Sequence, residues 1–246
     1  AVLVIRDITE ESNADRTKSE IISIASHQLR TPLTTVRWYV NELIKNRKLL
    51  PSKRTSYLTQ VRDSNRRMID LVEHLLNVSR IELGTLTLKP ERIDVANLVA
   101  SILADLKAKI DDKQLHILTE TSPPPPIAFA DRSALQIVLQ NIISNAIEFS
   151  YEKGTVVITL TNHAEHITIR VADQGCGIPV VQQSHIFTKL FRASNAYKLS
   201  TTGSGLGLYI SKALTEQMEG KIWFTSHENK GTTMYVTVPT KRKRKE

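Results

Sequence analysis

The chain has 246 residues, 41% of them hydrophobic and 24% charged, which is the make-up of a folded protein with room for two domains and excludes a disordered one. It contains no run of about 20 apolar residues, which excludes a membrane-spanning helix within it, and a single cysteine, Cys176, which excludes an internal disulfide and fits a reducing cytoplasm. The net charge of +8 is concentrated in part in the tail Lys241-Arg242-Lys243-Arg244-Lys245-Glu246; that end fits either a solvated terminus or a contact with an anionic surface, and the 5% aromatic content offers no interleaved stripe for nucleic acid.

The chain opens on Ala1-Val2-Leu3-Val4-Ile5 without a signal-peptide pattern, and residues 1–12 read as the last strand of something upstream, ending in Asp7-Ile8-Thr9-Glu10. The expectation is a fragment of a longer protein, anchored in a membrane elsewhere. Residues 13–47 carry apolar residues at Ile22, Ala25, Leu29, Leu33, Val36, Val40 and Leu43, the period of one long amphipathic helix. His27 stands about 200° from Ala25 around that helix, away from the stripe, with Thr31 one turn on along its own face. A solvent-facing imidazole is available as a nucleophile, whereas a core histidine is not. Pro32 has no N–H to give to the Gln28 carbonyl, which predicts a bend just after His27.

Leu49-Leu50-Pro51-Ser52 breaks the helix, with Ser52 the expected N-cap of a second one over residues 53–82, whose stripe is Leu58, Val61, Met68, Leu71, Leu75 and Val78 and whose stop is Gly84. Two helices of about 30 residues make a hairpin with an unburied apolar face on each. Pairing two chains into a four-helix bundle buries both faces, so the expectation is a homodimer.

From about residue 88 the pattern becomes mixed. Residues 95–110 and 131–150 read as helices, and 155–160, 167–172, 221–226 and 232–238 as strands of alternating β-branched residues. Pro123–Pro126 reads as a stiff connector rather than a docking motif. Asn141 and Asn145, spaced i and i+4, project from one helix face, where an amide oxygen suits Mg²⁺ and an amide N–H suits phosphate; surface asparagines of no function look the same. Asp173-Gln174-Gly175-Cys176-Gly177 follows a strand, where a carboxylate can accept from an exocyclic amine such as that of adenine and the glycines admit a flat ligand; a tight turn with a capping Asp is the alternative. Gly203-Ser204-Gly205-Leu206-Gly207-Leu208 precedes a helix at 209–219 and fits a phosphate cradle at a helix N-terminus, or a merely flexible loop. The polar stretch 180–202 between the two glycine motifs reads as a lid.

Taken in order, these blocks resemble the sensor histidine kinases of bacterial two-component systems. Ser26-His27-Gln28-Leu29-Arg30-Thr31-Pro32-Leu33 resembles the H box, Asn141-Ile142-Ile143-Ser144-Asn145-Ala146 the N box, and Asp173-x-Gly175-x-Gly177 the G1 box. Residues 186–192 resemble the F box, Gly203-x-Gly205-Leu206-Gly207-Leu208 the G2 box, and Gly231-Thr232-Thr233 the closing glycine-threonine turn. Residues 1–12 resemble the end of a PAS sensor domain running into a signalling helix.

The resemblance implies an α+β protein. A helical hairpin forming a dimeric four-helix bundle (13–84) is followed by an α/β sandwich of the gyrase, chaperone and histidine-kinase ATPase type (85–240) and a basic tail (241–246). It implies that His27 takes the γ-phosphoryl of ATP and passes it to an aspartate of a response regulator, with Thr31 orienting a water for dephosphorylating that regulator. It further implies that Asn141, Asn145, Asp173, Gly175, Gly177, Lys189, Arg192, Gly203, Gly205, Leu206, Gly207 and Thr233 line the nucleotide, and that Asn145 holds Mg²⁺.

Two positions depart from the family pattern. Gln28 stands where an acid usually serves as base; its amide oxygen accepts a hydrogen bond but takes no proton, which slows the kinase step and opens a phosphatase-dominant or nucleotide-sensing alternative. Glu148 stands where a cation usually approaches the phosphates, with Lys153, Lys189 or Arg192 as substitutes. Asn141 occupies the place of the glutamate that activates water in the ATP-hydrolysing relatives, which favours transfer over hydrolysis.

Overall fold

A computed structural model describes residues 9–46, 49–199 and 203–241; of residues 9–25, 27 and 198 it describes the backbone alone. The chain divides into two compact units, one up to Glu82 and one from Leu83 onward.

The first unit is a hairpin of α1 (Thr9–Lys45) and α2 (Pro51–Glu82). Residues 9–12 are helical, so the strand expected over residues 1–12 is corrected there; residues 1–8 lie outside the described residues. No helix-breaking signal separates Thr9 from the periodic pattern, and the helix simply runs on N-terminally. It also continues through Pro32, and the Thr35 hydroxyl donates to the Thr31 carbonyl at 3.1 Å. The second helix starts one residue before the expected cap. Pro51 takes the first helical position, where a missing N–H costs nothing and the fixed φ is already helical, so Ser52 lies inside the helix rather than capping it. Near the turn, Tyr39 meets Trp38 and Tyr57 with ring centroids 4.8 and 5.0 Å away, an aromatic clasp between the helices.

Among the described residues of the two expected stripes, only residues of α2 are buried in the single chain. Leu71 and Val78 are, together with Ser64, but Leu58 is 52% exposed and Leu33 54%. Val40, Ile44, Ile69, Val72 and Leu76 are exposed as well. The spacing of Ile69, Val72 and Leu76 puts them on one face of α2. A hairpin has one inner seam, and these side chains lie outside it.

Just after α2, Gly84 turns at a φ of +62°, the left-handed conformation that glycine adopts without strain. The elements of the second unit are β1 (Glu91–Asp94), α3 (Val95–Asp105), α4 (Lys107–Asp112), β2 (His116–Thr121), β3 (Ile127–Ala130), α5 (Arg132–Phe149), β4 (Thr155–Asn162), β5 (His166–Ala172), α6 (Ala196–Leu199), α7 (Gly207–Gln217), β6 (Lys221–His227) and β7 (Gly231–Pro239). Five strands form a sheet in the order β2-β4-β5-β7-β6, antiparallel except for β2 beside β4; β1 and β3 pair separately.

Alternation along the strands sorts the sheet into two faces. Val156, Ile158 and Leu160 of β4, Ile167, Ile169 and Val171 of β5, and Met234, Val236 and Val238 of β7 are buried. The helices supply the other half of this core: Leu135, Leu139, Ile142, Ile143 and Ile147 of α5, with Ile210 and Leu214 of α7. Each such side chain contributes about 1.5–3 kcal/mol by leaving water. The opposite face carries Trp223 stacked on Tyr235, 5.1 Å between centroids. Asp94 and Asp131 cap α3 and α5 by accepting from Asn97 N–H and Ala134 N–H. The helix expected over 95–110 is interrupted at Leu106, which turns at φ −93°, ψ 1° and is itself buried. None of the described helices is long and apolar enough to cross a membrane.

Candidate nucleotide site and phospho-acceptor

The side chain of His27 lies outside the described residues; its backbone is in α1. On the same helix Gln28 is half-buried and Thr31 is exposed. In the second unit, the end of β5, one face of α5 and the start of α7 bring most of the remaining candidates together.

Asp173 follows the last residue of β5. Its Oδ1 accepts from Thr232 N–H at 3.1 Å and the carboxylate also accepts from Gly175 N–H. Burial pushes its carboxyl from 3.8 up to about 6, against the opposing pull of those two donors. The residue therefore sits near its protonation midpoint just below neutral pH, as an oriented acceptor at a strand end.

The glycines after it are required by packing within the protein itself. A Cβ on Gly175 would lie 2.1 Å from the Phe149 carbonyl oxygen, and one on Gly177, at φ +60°, 2.0 Å from the His227 carbonyl oxygen. They let the loop press closely against its own backbone neighbours. Hydrogen bonds then pin it: Cys176 N–H donates to Phe149 O at 3.2 Å, Ile178 N–H to Ser226 Oγ at 2.9 Å, and Asn195 Nδ2 to the Cys176 and Gly177 carbonyls at 3.1 and 3.0 Å. Burial pushes the Cys176 thiol up, which suits a packing residue rather than a nucleophile.

Along α5, Asn141, Asn145 and Glu148 fall on one face. Asn141 is not a free phosphate donor. Its Nδ2 donates to Gly207 O at 3.1 Å and Ser211 Oγ at 3.2 Å, so it joins α5 to the first turn of α7. Asn145 is half-buried and has no side-chain hydrogen bond among the described residues. Glu148 has one fully buried carboxylate oxygen without a partner among the described residues. The α5 C-terminus is closed by Lys113, whose Nζ donates to the carbonyls of Ile147, Glu148 and Ser150; burial lowers its pKa.

The second glycine motif begins α7 two residues earlier than expected, with Gly207 as its first residue. Gly205, at φ +70°, packs so closely that a Cβ would lie 2.6 Å from the Leu190 carbonyl carbon, which ties the loop to the stretch between the two glycine motifs. Leu206 is 1% exposed, so its side chain anchors the loop in the core and leaves only its backbone for a ligand. Arg192 donates to Gly203 O at 3.3 Å and lies over the Tyr197 ring; Lys189 lies over the Tyr209 ring. Both cations thus stand beside the α7 N-terminus, where backbone N–H groups and the helix dipole favour an anion. Lys153, the third cation considered, is exposed in the turn before β4. Residues 200–202 lie outside the described residues.

Thr233 is a correction. It pairs with Ala172 and Thr225, and strand alternation from Met234 places it on the sheet face away from the helices. Thr232 is the residue at the site: its N–H holds Asp173 and its hydroxyl lies 2.9 Å from Ser226 Oγ. Counting back from Val238, Val236 and Met234 in twos selects it from sequence alone. Lys113, Ser211 and Asn195 were also missed, and no local pattern marks them, because their partners are 34 to 37, 70 and 18 to 19 residues away in sequence.

Residues 17–84 match the His Kinase A (phospho-acceptor) domain, and residues 130–242 match the histidine kinase-, DNA gyrase B- and HSP90-like ATPase domain. The sensor histidine kinase WalK of Bacillus subtilis (strain 168) is 31% identical over 251 residues, an alignment covering 100% of this chain and 40% of that protein. The chain thus spans about two fifths of the length of the curated relatives it matches. Two solved structures share the fold. ShkA, full-length in complex with AMPPNP, superposes at a TM-score of 0.65 with 24% identity, over 90% of this chain and 45% of that one. Histidine kinase ThkA in complex with the response regulator protein TrrA gives 0.68 with 22% identity, over 97% and 68%. A phospho-acceptor domain match over the hairpin, an ATPase domain match over the sandwich, and a relative aligned along the whole sequence place this chain in the family of two-component sensor histidine kinases.

Proposed function

We propose that this chain catalyses ATP-dependent phosphorylation of its own His27 and passes the phosphoryl group to an aspartate of a response-regulator receiver domain. The observation that carries the reading is the presence, within the C-terminal unit, of a half-buried acceptor at Asp173, an amide at Asn145 with no side-chain hydrogen bond among the described residues, and a glycine-lined helix start at Gly207. Asp173 accepts from the adenine amine. The α7 N-terminus, Lys189 and Arg192 face the phosphates. Asn145 Oδ1 would hold Mg²⁺, which when bound would neutralise charge on the phosphate oxygens.

Neutral imidazole at pH 7 presents one unprotonated nitrogen, and the family uses Nε2. The Nε2–P bond forms as the P–O bond to ADP breaks. Gln28 orients the ring through its amide oxygen and leaves its proton to solvent, which makes the step slow. Thr31, exposed one turn further on, orients the water that dephosphorylates the regulator. The domains run from 13 to 84 for dimerisation and phosphotransfer and from 85 to 240 for ATP. The exposed apolar faces of α1 and α2 support a homodimer, and the portion described here works on the cytoplasmic side of a longer sensor.

Incubation with radiolabelled ATP and Mg²⁺ tests the reading. Wild type gains acid-labile label and His27→Ala gains none; label persisting on the variant removes His27 from the role. Nucleotide binding without label favours a phosphatase-dominant switch, the alternative that Gln28 raises.

A further inference from the structure

The replacement of the usual cation by Glu148 has a structural consequence at the same site. Asn141, Asn145 and Glu148 are spaced i, i+4 and i+7 on α5. By the helical period Glu148 lies about 20° from the line of Asn141 and Asn145 about 40°, so all three share a face. The Asn141 amide fixes what that face looks at, because it bonds to Gly207 and Ser211 at the start of α7. Asn145 and Glu148 continue the same row toward the α5 C-terminus.

The natural partner for the Glu148 carboxylate is Lys113. That ammonium has three protons, and the structure commits them to three carbonyls, those of Ile147, Glu148 and Ser150. The ammonium still attracts the Glu148 carboxylate through space, but no proton is left to bond it, and one Glu148 oxygen is buried with no hydrogen-bond partner among the described residues. A buried carboxylate oxygen without a hydrogen bond costs free energy, and a coordinating cation would offset that cost. The neighbouring Asn145 oxygen is also without a partner among the described residues. Two hard oxygen donors on adjacent turns suit an alkaline-earth or Mn²⁺ ion and no soft metal.

We infer that Glu148 is a second protein ligand, beside Asn145, for the divalent cation that accompanies the nucleotide, so that the protein and not only the phosphates grips the metal. This rests on the nucleotide-binding reading above. Where the family pattern places a cation that attracts phosphate directly, this chain places an anion that repels phosphate until a metal intervenes. Nucleotide and metal binding are therefore coupled more strongly than they are once the carboxylate is gone, and the coupling is reciprocal.

The test measures ADP affinity by calorimetry, with excess Mn²⁺ and again in EDTA, for the whole chain and for Glu148→Gln and Glu148→Lys. Mn²⁺ affinity is followed separately from the electron paramagnetic resonance signal of free Mn²⁺, in the presence of ADP. Wild type should show an ADP affinity ratio, metal over EDTA, about tenfold larger than Glu148→Gln, and Mn²⁺ should bind the variant's ADP complex about tenfold more weakly. In EDTA, Glu148→Lys should bind ADP more tightly than wild type does. An equal ratio in wild type and Glu148→Gln, with ADP bound by both, overturns the assignment of Glu148 alone. A wild-type chain that binds no ADP in either condition overturns the nucleotide site as well.

Discussion

Replacing Asp173 by Asn should make this protein more stable and inactive at once. The carboxyl is held at about 6 by burial, against an ordinary value of 3.8. At about 1.4 kcal/mol per pH unit, that gap corresponds to about 3 kcal/mol. The sign follows from proton counting. Below pH 3.8 the group is protonated in folded and unfolded chains alike, and burial costs no charge. Between pH 4 and 6 the folded chain holds a proton that the unfolded chain has released, so stability falls as pH rises, and above pH 6 the whole penalty is present. Asparagine keeps an oxygen to accept from Thr232 and Gly175 N–H but never ionises. The variant should therefore gain on wild type by about 3 kcal/mol between pH 4 and pH 8. Urea unfolding in a Trp38→Phe background reads this out, because Trp223, stacked on Tyr235 in the sheet, then reports on the C-terminal unit alone. The same variant should lose ATP binding, since its amide presents a donor where the adenine amine also donates. A stability difference that stays flat from pH 4 to 8, or that favours wild type increasingly as pH rises, refutes the burial argument.

Gln28→Glu should speed histidine phosphorylation by about a hundredfold or more, the ~10²–10⁴ range of general-base help; an unchanged rate in single-turnover labelling counts against that role. Gly177→Ala should cost the C-terminal unit about 3 kcal/mol, because its Cβ meets the His227 carbonyl oxygen at 2.0 Å and φ +60°, whereas Gly84→Ala, at φ +62° with open space around it, should cost about 1 kcal/mol; equal losses in thermal melts would break the contrast. Ile69→Glu with Leu76→Glu, both 51% exposed on α2, should yield a monomer with intact helical circular dichroism, and light scattering that still finds a dimer would place the dimer interface elsewhere.

The sequence was most legible where its periodicity was repetitive. The two long helices and the strands β4 to β7 follow from alternation and spacing, and the glycine motifs placed one loop after β5 and one helix start at Gly207. The strands β1 and β3 are four residues each, and β2 is an edge strand of mostly exposed residues, so none has an apolar rhythm to read. Leu106 breaks a helix that periodicity joins, because the chain must turn while keeping that leucine in the core. At the candidate site, several residues have packing roles that the sequence did not show. Asn141 ties two helices, Gly175 and Gly177 yield to backbone neighbours, and Leu206 is a core anchor. Those roles depend on contacts from distant segments, which local spacing does not contain. Thr232 against Thr233 was decidable from strand parity alone.

Mass-spectrometric mapping of the phosphoryl group at mildly alkaline pH, after incubation with ATP and Mg²⁺, addresses the core of the account in one experiment on wild type and Asp173→Asn. The account predicts modification of His27 in wild type, at no serine, threonine or other histidine, and none in the variant. Phosphate on another residue, or undiminished phosphate on the variant, contradicts it.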